Sequence, residues 1–402
     1  MVSDGGLRIL TINAGSSGLK AALYDMDRTE RLMLAVQVER IGQSGSQVRI
    51  VDGDGVTLLD RTADLDSHEA AARAFLDWLQ DQQAEVAPNA VGHRLVHGGR
   101  AHRAPQRLTA DVLADLQQLV PIDPDHLPQA LAVIQVTTER YPAIPQVACF
   151  DTAFHRSMPR LAQMYPLPAW LAEAGVIRYG FHGLSCEFIV QALEAIDASE
   201  ARGRIIIAHL GNGASLTAVH EGASVDTTMG FTPTGGIMMG TRSGDLDPGV
   251  LVHLLEAQGT RPAALNRLVN HEAGLLGVSG LSADMRDLLD KEATYPRAVD
   301  AIALFCYLAR KSVGALSAVL GGLDTLIFTG GIGEHAAPVR ERVCQGLEFL
   351  GLEVDAERNV RHAPIISREG ARVAVRVMKT NEDLMIARHA HHLLGDELSS
   401  HR

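Results

Sequence analysis

The chain has 402 residues, 46% of them hydrophobic, too many for one ordinary core, so two domains are the starting expectation. A formal net charge of −12 without a basic stripe, and only 4% aromatics, argue against a nucleic-acid partner. The four cysteines, Cys149, Cys186, Cys306 and Cys344, are scattered and form no CxxC pair, which speaks against a disulfide framework or a zinc site and fits a reducing cytoplasm.

Arg8-Ile-Leu-Thr-Ile-Asn13 reads as an apolar strand running into the small-residue turn Ala14-Gly-Ser-Ser-Gly18, with a second apolar stretch to Tyr24. Ser67 is placed to N-cap a helix reaching about Gln83, with Ala71, Phe75 and Leu79 on one face. Val147 to Phe150 is a short strand ending at Asp151. Ile205 to Ala208 is a strand entering Gly211-Asn-Gly-Ala-Ser215, after which Leu216 to Val219 continues as a second strand. Ala298 to Leu320 reads as a long, mostly apolar, buried helix, and Leu326 to Thr329 as a strand entering Gly330-Gly-Ile-Gly333. Asp383 to Leu394 closes the chain as a helix. Strands alternating with helices mean an α/β fold. A strand, glycine turn and strand repeated about half a chain apart points to two domains on one plan, and no Pro-rich linker separates them.

Each glycine turn alone is explained by an ordinary hairpin. Three of them, each directly after an apolar strand, fit nucleotide phosphates, because such turns expose backbone N–H groups and admit a phosphate without a Cβ clash. None is a Walker A loop. Charge and histidine also gather beside glycine, in Gly92-His-Arg94-Leu-Val-His97, Phe150-Asp151, Tyr179-Gly-Phe-His182 and Gly240-Thr-Arg242-Ser-Gly-Asp245. Arg94 and Arg242 are candidate oxyanion clamps, since a guanidinium matches carboxylate and phosphate forks. The plain alternatives are a surface salt bridge for either arginine, a satisfied core histidine for His182 and a helix N-cap for Asp151. The cluster Arg388-His-Ala-His-His392 reads as a solvated helix face. Met1 to Gly6 has no leader character and no unbroken run of 18 apolar residues occurs, so neither export nor a membrane span is expected.

These stretches together resemble the acetate kinases over nearly the whole chain: TINAGSSGLK, VGHRLVHGG, FDTAFH, YGFHG, HLGNGAS, DTTMGFTP, MMGTRSGDLDPG, GLLGVSG, DMRDL, FTGGIGE, GLEFLG and TNED. The resemblance implies two duplicated actin-like (ribonuclease H-like) α/β domains with a nucleotide cleft between them. It implies an N-terminal domain over residues 1–152, with a C-terminal helix over 383–398 packing on it, and a second domain over 153–382 that binds nucleotide and forms a homodimer. It implies reversible transfer of the ATP γ-phosphoryl group to acetate, in the cytoplasm, with Mg²⁺ (or Mn²⁺) as metal.

By the same resemblance, Arg94, Asp151, His182 and Arg242 fall on catalytic positions, and Asn13 and Glu382 on metal positions. Val96, His126, Phe181 and Pro233, with Arg94, line the acid's pocket. ATP falls to Ser16 and Lys20 in the first turn and to His209, Leu210, Gly211, Asn212 and Gly213 in the second. Asp284, Met285 and Arg286, with Gly330, Gly331, Ile332, Gly333 and Glu334, take the adenosine. The chain departs from the family where Gly18 replaces a serine, where Pro124-Asp-His126-Leu-Pro128 replaces PLHNP or PLHQP, and where Leu184 and Cys186 follow YGFHG. Asp125 would repel an anionic acid, so its side chain is expected to turn away.

A carboxylate with a pKa near about 4.3 is already ionised at neutral pH, so transfer needs no general base. It needs cations and donors at an in-line phosphoryl transition state. Arg94 is expected to hold the acid, Arg242 to bridge it to the phosphoryl group, His182 to donate to that group, and Glu382 to hold Mg²⁺ through water. The competing readings are a kinase for propionate or another short acid, a sugar kinase, and a nucleotide-driven binding module.

Overall fold

The computed structural model describes residues 7–15, 17–26, 29–82 and 87–400, with side chains through residue 395. The chain forms two compact units, one through Ala153 together with Asn381 onward, the other Phe154–Thr380.

The first unit is built on an eight-stranded sheet. Its strands are β1 (Arg8–Ala14), β2 (Gly18–Met26), β3 (Glu30–Glu39), β4 (Ser46–Asp52), β5 (Thr57–Ala63), β6 (Ala90–Leu95), β7 (Gln106–Arg107) and β8 (Gln146–Phe150), in the order β5-β4-β3-β2-β1-β6-β8-β7. Strands β1 to β5 form an antiparallel meander, while β6 and β8 run parallel to β1. Strand β8 is buried throughout and mostly apolar because both faces are covered, whereas β6 carries His93 and Arg94. The helices His68–Asp81 and Leu127–Arg140 pack against each other and bury Phe75, Leu76, Leu79, Val133 and Val136 with Leu10, Leu23 and Val91 of the sheet. Ser67 caps the first of them, its hydroxyl accepting from Ala70 N–H at 3.2 Å. The helix ends at Asp81, before the expected Gln83, which lies outside the described residues. The closing helix Glu382–Ser400 covers β1 and β6, and at Gly92 the contact is so close that a Cβ would meet Ile386.

The second unit repeats the plan. Its strands are β9 (Ile205–Leu210), β10 (Ala214–His220), β11 (Ala223–Thr227), β12 (Thr325–Thr329) and β13 (Ala374–Val377), in the order β11-β10-β9-β12-β13. Three antiparallel strands followed by two parallel ones reproduce β3-β2-β1-β6-β8 strand for strand. The helix Pro296–Leu320 is long and apolar enough, by length and composition, to cross a membrane. Here Ala301, Ile302, Phe305 and Val313 are buried against β10 and neighbouring helices, which explains that composition as core. It is not buried all round, however, since Val299, Leu304, Tyr307 and Val319 are exposed.

Candidate active site

In the first unit Asn13 ends β1, Arg94 lies near the end of β6 and Asp151 follows β8, so three neighbouring strand ends bring these side chains together. Arg94 Nε and Nη2 donate to the two oxygens of Asp151 at 3.0 and 2.5 Å, and Nη1 donates to Asn13 Oδ1 at 3.0 Å. Asn13 Nδ2 faces Glu382 Oε2 at 3.5 Å, and that oxygen lies 3.9 Å from Arg94 Nε. Asp151 is 1% exposed and Arg94 15%. Burial works against the guanidinium's charge, but Asp151 and Glu382 overcome it and raise the Arg94 pKa. Burial likewise pushes the Asp151 carboxyl up. The pair is nonetheless ionised, because a neutral carboxyl would forfeit one of two charge-assisted bonds of good geometry. A guanidinium has five N–H donors, of which three are used here. The remaining two, one on each terminal nitrogen, form a fork suited to an oxyanion.

Next to this clamp His126 Nδ1 pairs with Asp123 Oδ1 at 2.7 Å, and Asp123 is 2% exposed. The buried partner is therefore Asp123, three positions before His126 in the turn that leads into the helix Leu127–Arg140 and not among the residues the sequence singles out. Asp125 is half-buried and Val96 buried. Lys20 is exposed opposite Asn13 in the β1–β2 register. Ser16 lies outside the described residues. The first glycine turn is closed by Gly15 N–H donating to Gly18 O at 2.9 Å and is held from below by His68 Nε2 at 2.7 Å from Gly15 O. Burial lowers the His68 pKa, so the neutral ring donates this bond. A Cβ at Gly18 would stand 2.8 Å from Val38 O, which is why a serine there would require the neighbouring strand to shift.

In the second unit His209 ends β9, and Gly211 to Gly213 turn into β10, closed by Gly211 N–H to Gly213 O at 3.0 Å. His182 precedes the helix Gly183–Ile196 in the left-handed region (φ 59°), an arrangement costly for a residue with a Cβ and found mainly where a site demands it. Its ring stacks on that of His209 with centroids 4.2 Å apart. Phe181 and Pro233 are buried, and Pro233 O accepts from Arg242 Nη1 at 3.2 Å. The loop displaying Arg242 is pinned at its base by Gly236 and Asp245, which exchange bonds of 2.8 Å. A Cβ at Gly213 would come 3.1 Å from His182 Nε2 and 3.6 Å from Arg242 Nη1, so turn, imidazole and guanidinium converge.

A cavity of about 570 Å³ opens beside this turn, lined by Gly211, Asn212, Asp284, Met285, Arg286, Gly331 and Ile332 among the predicted residues. Leu289, Ala336 and Pro338 add an apolar wall that the sequence reading did not include. Asp284 N-caps the helix Met285–Lys291, and its carboxyl pairs with the Arg286 guanidinium at 3.0 Å, which lowers its pKa. A second cavity of about 600 Å³ is lined by Glu341, Arg342, Glu348 and Arg368. It carries charges of both signs and no glycine turn.

The sequence predicts a ligand-binding glycine turn at Gly330 to Gly333. Instead Gly330 opens a short helix, Gly330–His335. Gly330 has φ 75°, and a Cβ there would stand 2.7 Å from Leu210 O, so only glycine fits. Glu334 Oε1 accepts from Gly330 N–H at 3.1 Å, which employs that carboxylate inside the turn. Arg340, fully buried, donates to Gly333 O at 2.8 Å, Glu334 O at 2.9 Å and both Asn359 oxygens at 2.7 and 2.8 Å. Nothing in the local sequence around Arg340 announces this clamp, because its partner Asn359 is 19 positions away.

Residues 8–388 match the acetokinase family. An acetate kinase from Rhodopseudomonas palustris is 43% identical over 387 residues, covering 95% of this chain and 97% of the relative. A propionate kinase from Citrobacter rodentium is also 43% identical, over 395 residues and 95% of each chain. The crystal structure of Porphyromonas gingivalis acetate kinase superposes with a TM-score of 0.86 at 37% identity, covering 97% of this chain and all of that one.

Proposed function

The chain belongs to the acetokinase family, and from that premise we propose that it moves the γ-phosphoryl group of ATP reversibly to and from acetate, giving acetyl phosphate and ADP. The observation that carries this reading is the Arg94 clamp: a buried guanidinium, fixed by Asp151 and Asn13, with two donors left for a carboxylate. Such an acid is already a nucleophile at neutral pH. Arg94 binds and orients it, and His126, held by Asp123, supports its second oxygen. Arg242 and His182 take the charge that develops on the transferring phosphoryl group. The glycine turn Gly211 to Gly213 receives the nucleotide phosphates, with His209 and Asn212 beside them. The adenosine occupies the cavity under Gly331, Ile332 and Arg286.

A divalent ion fits beside Glu382. Asp383 Oδ1 is buried without a partner among the described residues, and burial together with the Glu382 charge pushes its carboxyl up to about 6. Among the described residues no cluster of three or more His, Cys, Asp or Glu side chains forms an all-protein metal cage. Glu382 and Asp383 offer the one or two carboxylates that Mg²⁺ takes besides its waters and substrate phosphates. Bound there, Mg²⁺ would neutralise phosphate charge. Glu382 would hold it, and Asn13, whose oxygen is committed to Arg94, would orient Glu382.

We read the enzyme as a cytoplasmic homodimer. The helix Pro248–Glu256 buries none of its residues and exposes Val250, Val252 and Leu255. Leu246, Tyr307 and Val319 are exposed in the same unit, as expected of a surface covered by a second copy. The four cysteines are buried and form no disulfide among the described residues, which fits a reducing compartment.

Propionate is the second reading, favoured by the equal identity to the Citrobacter rodentium propionate kinase. One methylene changes selectivity by only about 1–3 kcal/mol. The test is purified protein with ATP, Mg²⁺ and hydroxylamine, trapping acyl phosphate as hydroxamate from acetate, propionate and butyrate in parallel. Product falling with chain length supports acetate. A maximum at propionate moves the substrate and keeps the chemistry. No product from any acid overturns the kinase reading.

A further inference from the structure

Phosphoryl transfer through His182 and His209 depends on which ring nitrogen carries each proton. His182 Nδ1 lies 3.0 Å from Ser215 Oγ, and His209 Nδ1 lies 2.8 Å from Ser185 Oγ. The pairing is reciprocal. Ser185 sits in the first turn of the helix that follows His182, yet it grips His209. Ser215 faces His209 across the β9–β10 register, yet it grips His182. Both serines are fully buried, and each hydroxyl has that one ring nitrogen as its partner among the described residues. A buried O–H with a single partner donates to it, since the alternative is an unsatisfied buried proton.

We propose that Ser185 and Ser215 are positioning residues that hold both stacked imidazoles neutral, with Nδ1 accepting and the proton on Nε2. Protonation of either Nδ1 would set N–H against O–H and leave the hydroxyl proton stranded. Two imidazolium rings stacked at 4.2 Å would also repel each other. The proton of His182 is thereby aimed from Nε2, the nitrogen beside Gly213 and Arg242 Nη1. Each histidine meets phosphate as a neutral donor, and Arg242 supplies the charge. Ser215 closes the HLGNGAS stretch and Ser185 follows YGFHG, but only the folded contacts pair each serine with the histidine of the other stretch.

The catalytic consequence rests on the carboxylate-kinase reading, whereas the tautomers do not. The test is long-range ¹H–¹⁵N correlation on the full-length, ligand-free protein labelled with ¹⁵N-histidine, with His182→Gln and His209→Gln used for assignment. Both rings are expected as the neutral Nε2–H form near pH 7. An Nδ1–H tautomer or an imidazolium at either position in the unaltered protein overturns the proposal, whatever the activity assay gives. Ser215→Ala should admit the Nδ1–H form at His182 and leave His209 unchanged. It should lower kcat by about tenfold or more, toward the 10²–10³ of a lost electrostatic donor, with KM for ATP nearly constant. Ser185→Ala should act on His209 and raise KM for ATP about tenfold, the worth of one hydrogen bond. Ser185→Thr and Ser215→Thr, which keep the hydroxyl, should restore the Nε2–H signal. Unchanged tautomers in both alanine variants would also sink the idea.

Discussion

Arg94 shows why one side chain must be tested with two substitutions. Asp151 is almost wholly buried and holds its charge only against that guanidinium. Arg94→Ala strands a buried carboxylate, so it should destabilise the protein by about 3–5 kcal/mol besides removing the clamp. Arg94→Lys keeps a cation but loses the planar fork. It should lower kcat at least about a hundredfold with the unfolding midpoint much less changed. Full activity in the lysine variant would remove Arg94 from the mechanism. Buried His93 and His155 carry a second prediction. Burial drives both to a pKa of about 4, with Gln146 and the Phe181 carbonyl as their respective partners. An unfolded histidine titrates near about 6.5. Between those values the unfolded chain binds more protons than the folded one, so stability is greatest above about pH 6.5 and falls toward pH 4, by about 3 kcal/mol for each ring. Urea unfolding from pH 7.5 to 4.5 should show this slope, and His93→Gln should reduce it by one ring's share.

The short helix Gly330–His335 has little stability of its own, because six residues cannot offset the cost of nucleation. It is held in place by Gly330 against Leu210 O, by Glu334 on its N-terminal N–H, and by Arg340 on its last carbonyls. Burial lowers the Arg340 pKa to about 10, and among the described residues neutral oxygens and the His362 Nδ1 at 3.0 Å are its hydrogen-bond partners. Gly330→Ala should therefore weaken ATP binding at least about tenfold, through backbone strain and the contact of its Cβ with Leu210 O. Arg340→Met should raise KM for ATP with a smaller change in kcat, since it frees the adenosine wall and not the phosphoryl donors. Isothermal titration with ADP checks both, and unaltered affinity in either variant would show that the turn holds its shape without that residue.

The turn Gly211 to Gly213 and the cavity beside it, proposed above as the nucleotide site, lie wholly within the Phe154–Thr380 unit. Nucleotide without acid should therefore stabilise the protein by RT ln(1 + [L]/Kd), about 2.7 kcal/mol at a hundredfold excess over Kd. Calorimetry that shows no upward shift with ATP would contradict the placement of the cavity. The exposed apolar helix Pro248–Glu256 makes a separate prediction. Val250→Asp together with Leu255→Glu should convert a dimer to a monomer in sedimentation velocity, while far-ultraviolet circular dichroism stays the same. A monomer before substitution would remove the dimer reading.

Local chemistry carried a large part of this protein. Apolar runs ending in small-residue turns identify β1–β2 and β9–β10, because a buried strand and a close phosphate approach each demand a residue type that a sequence displays openly. Arg94, Asp151, His182 and Arg242 stand out as candidates for a related reason: charge and histidine beside glycine are conspicuous in a sequence. The remainder was decided by contacts between residues distant along the chain. Asp123 and Asp125 are equivalent as letters, yet the fold seats Asp123 against His126. Ser185 and Ser215 are unremarkable serines until a helix and a hairpin bring them to histidines 24 and 33 positions away. Gly330 to Gly333 form a helix and not a plain turn because Arg340, Asn359 and Leu210 converge on them from three other segments. A sequence records the chemistry each residue can perform, whereas a buried hydrogen bond exists only where packing has excluded water and supplied the partner.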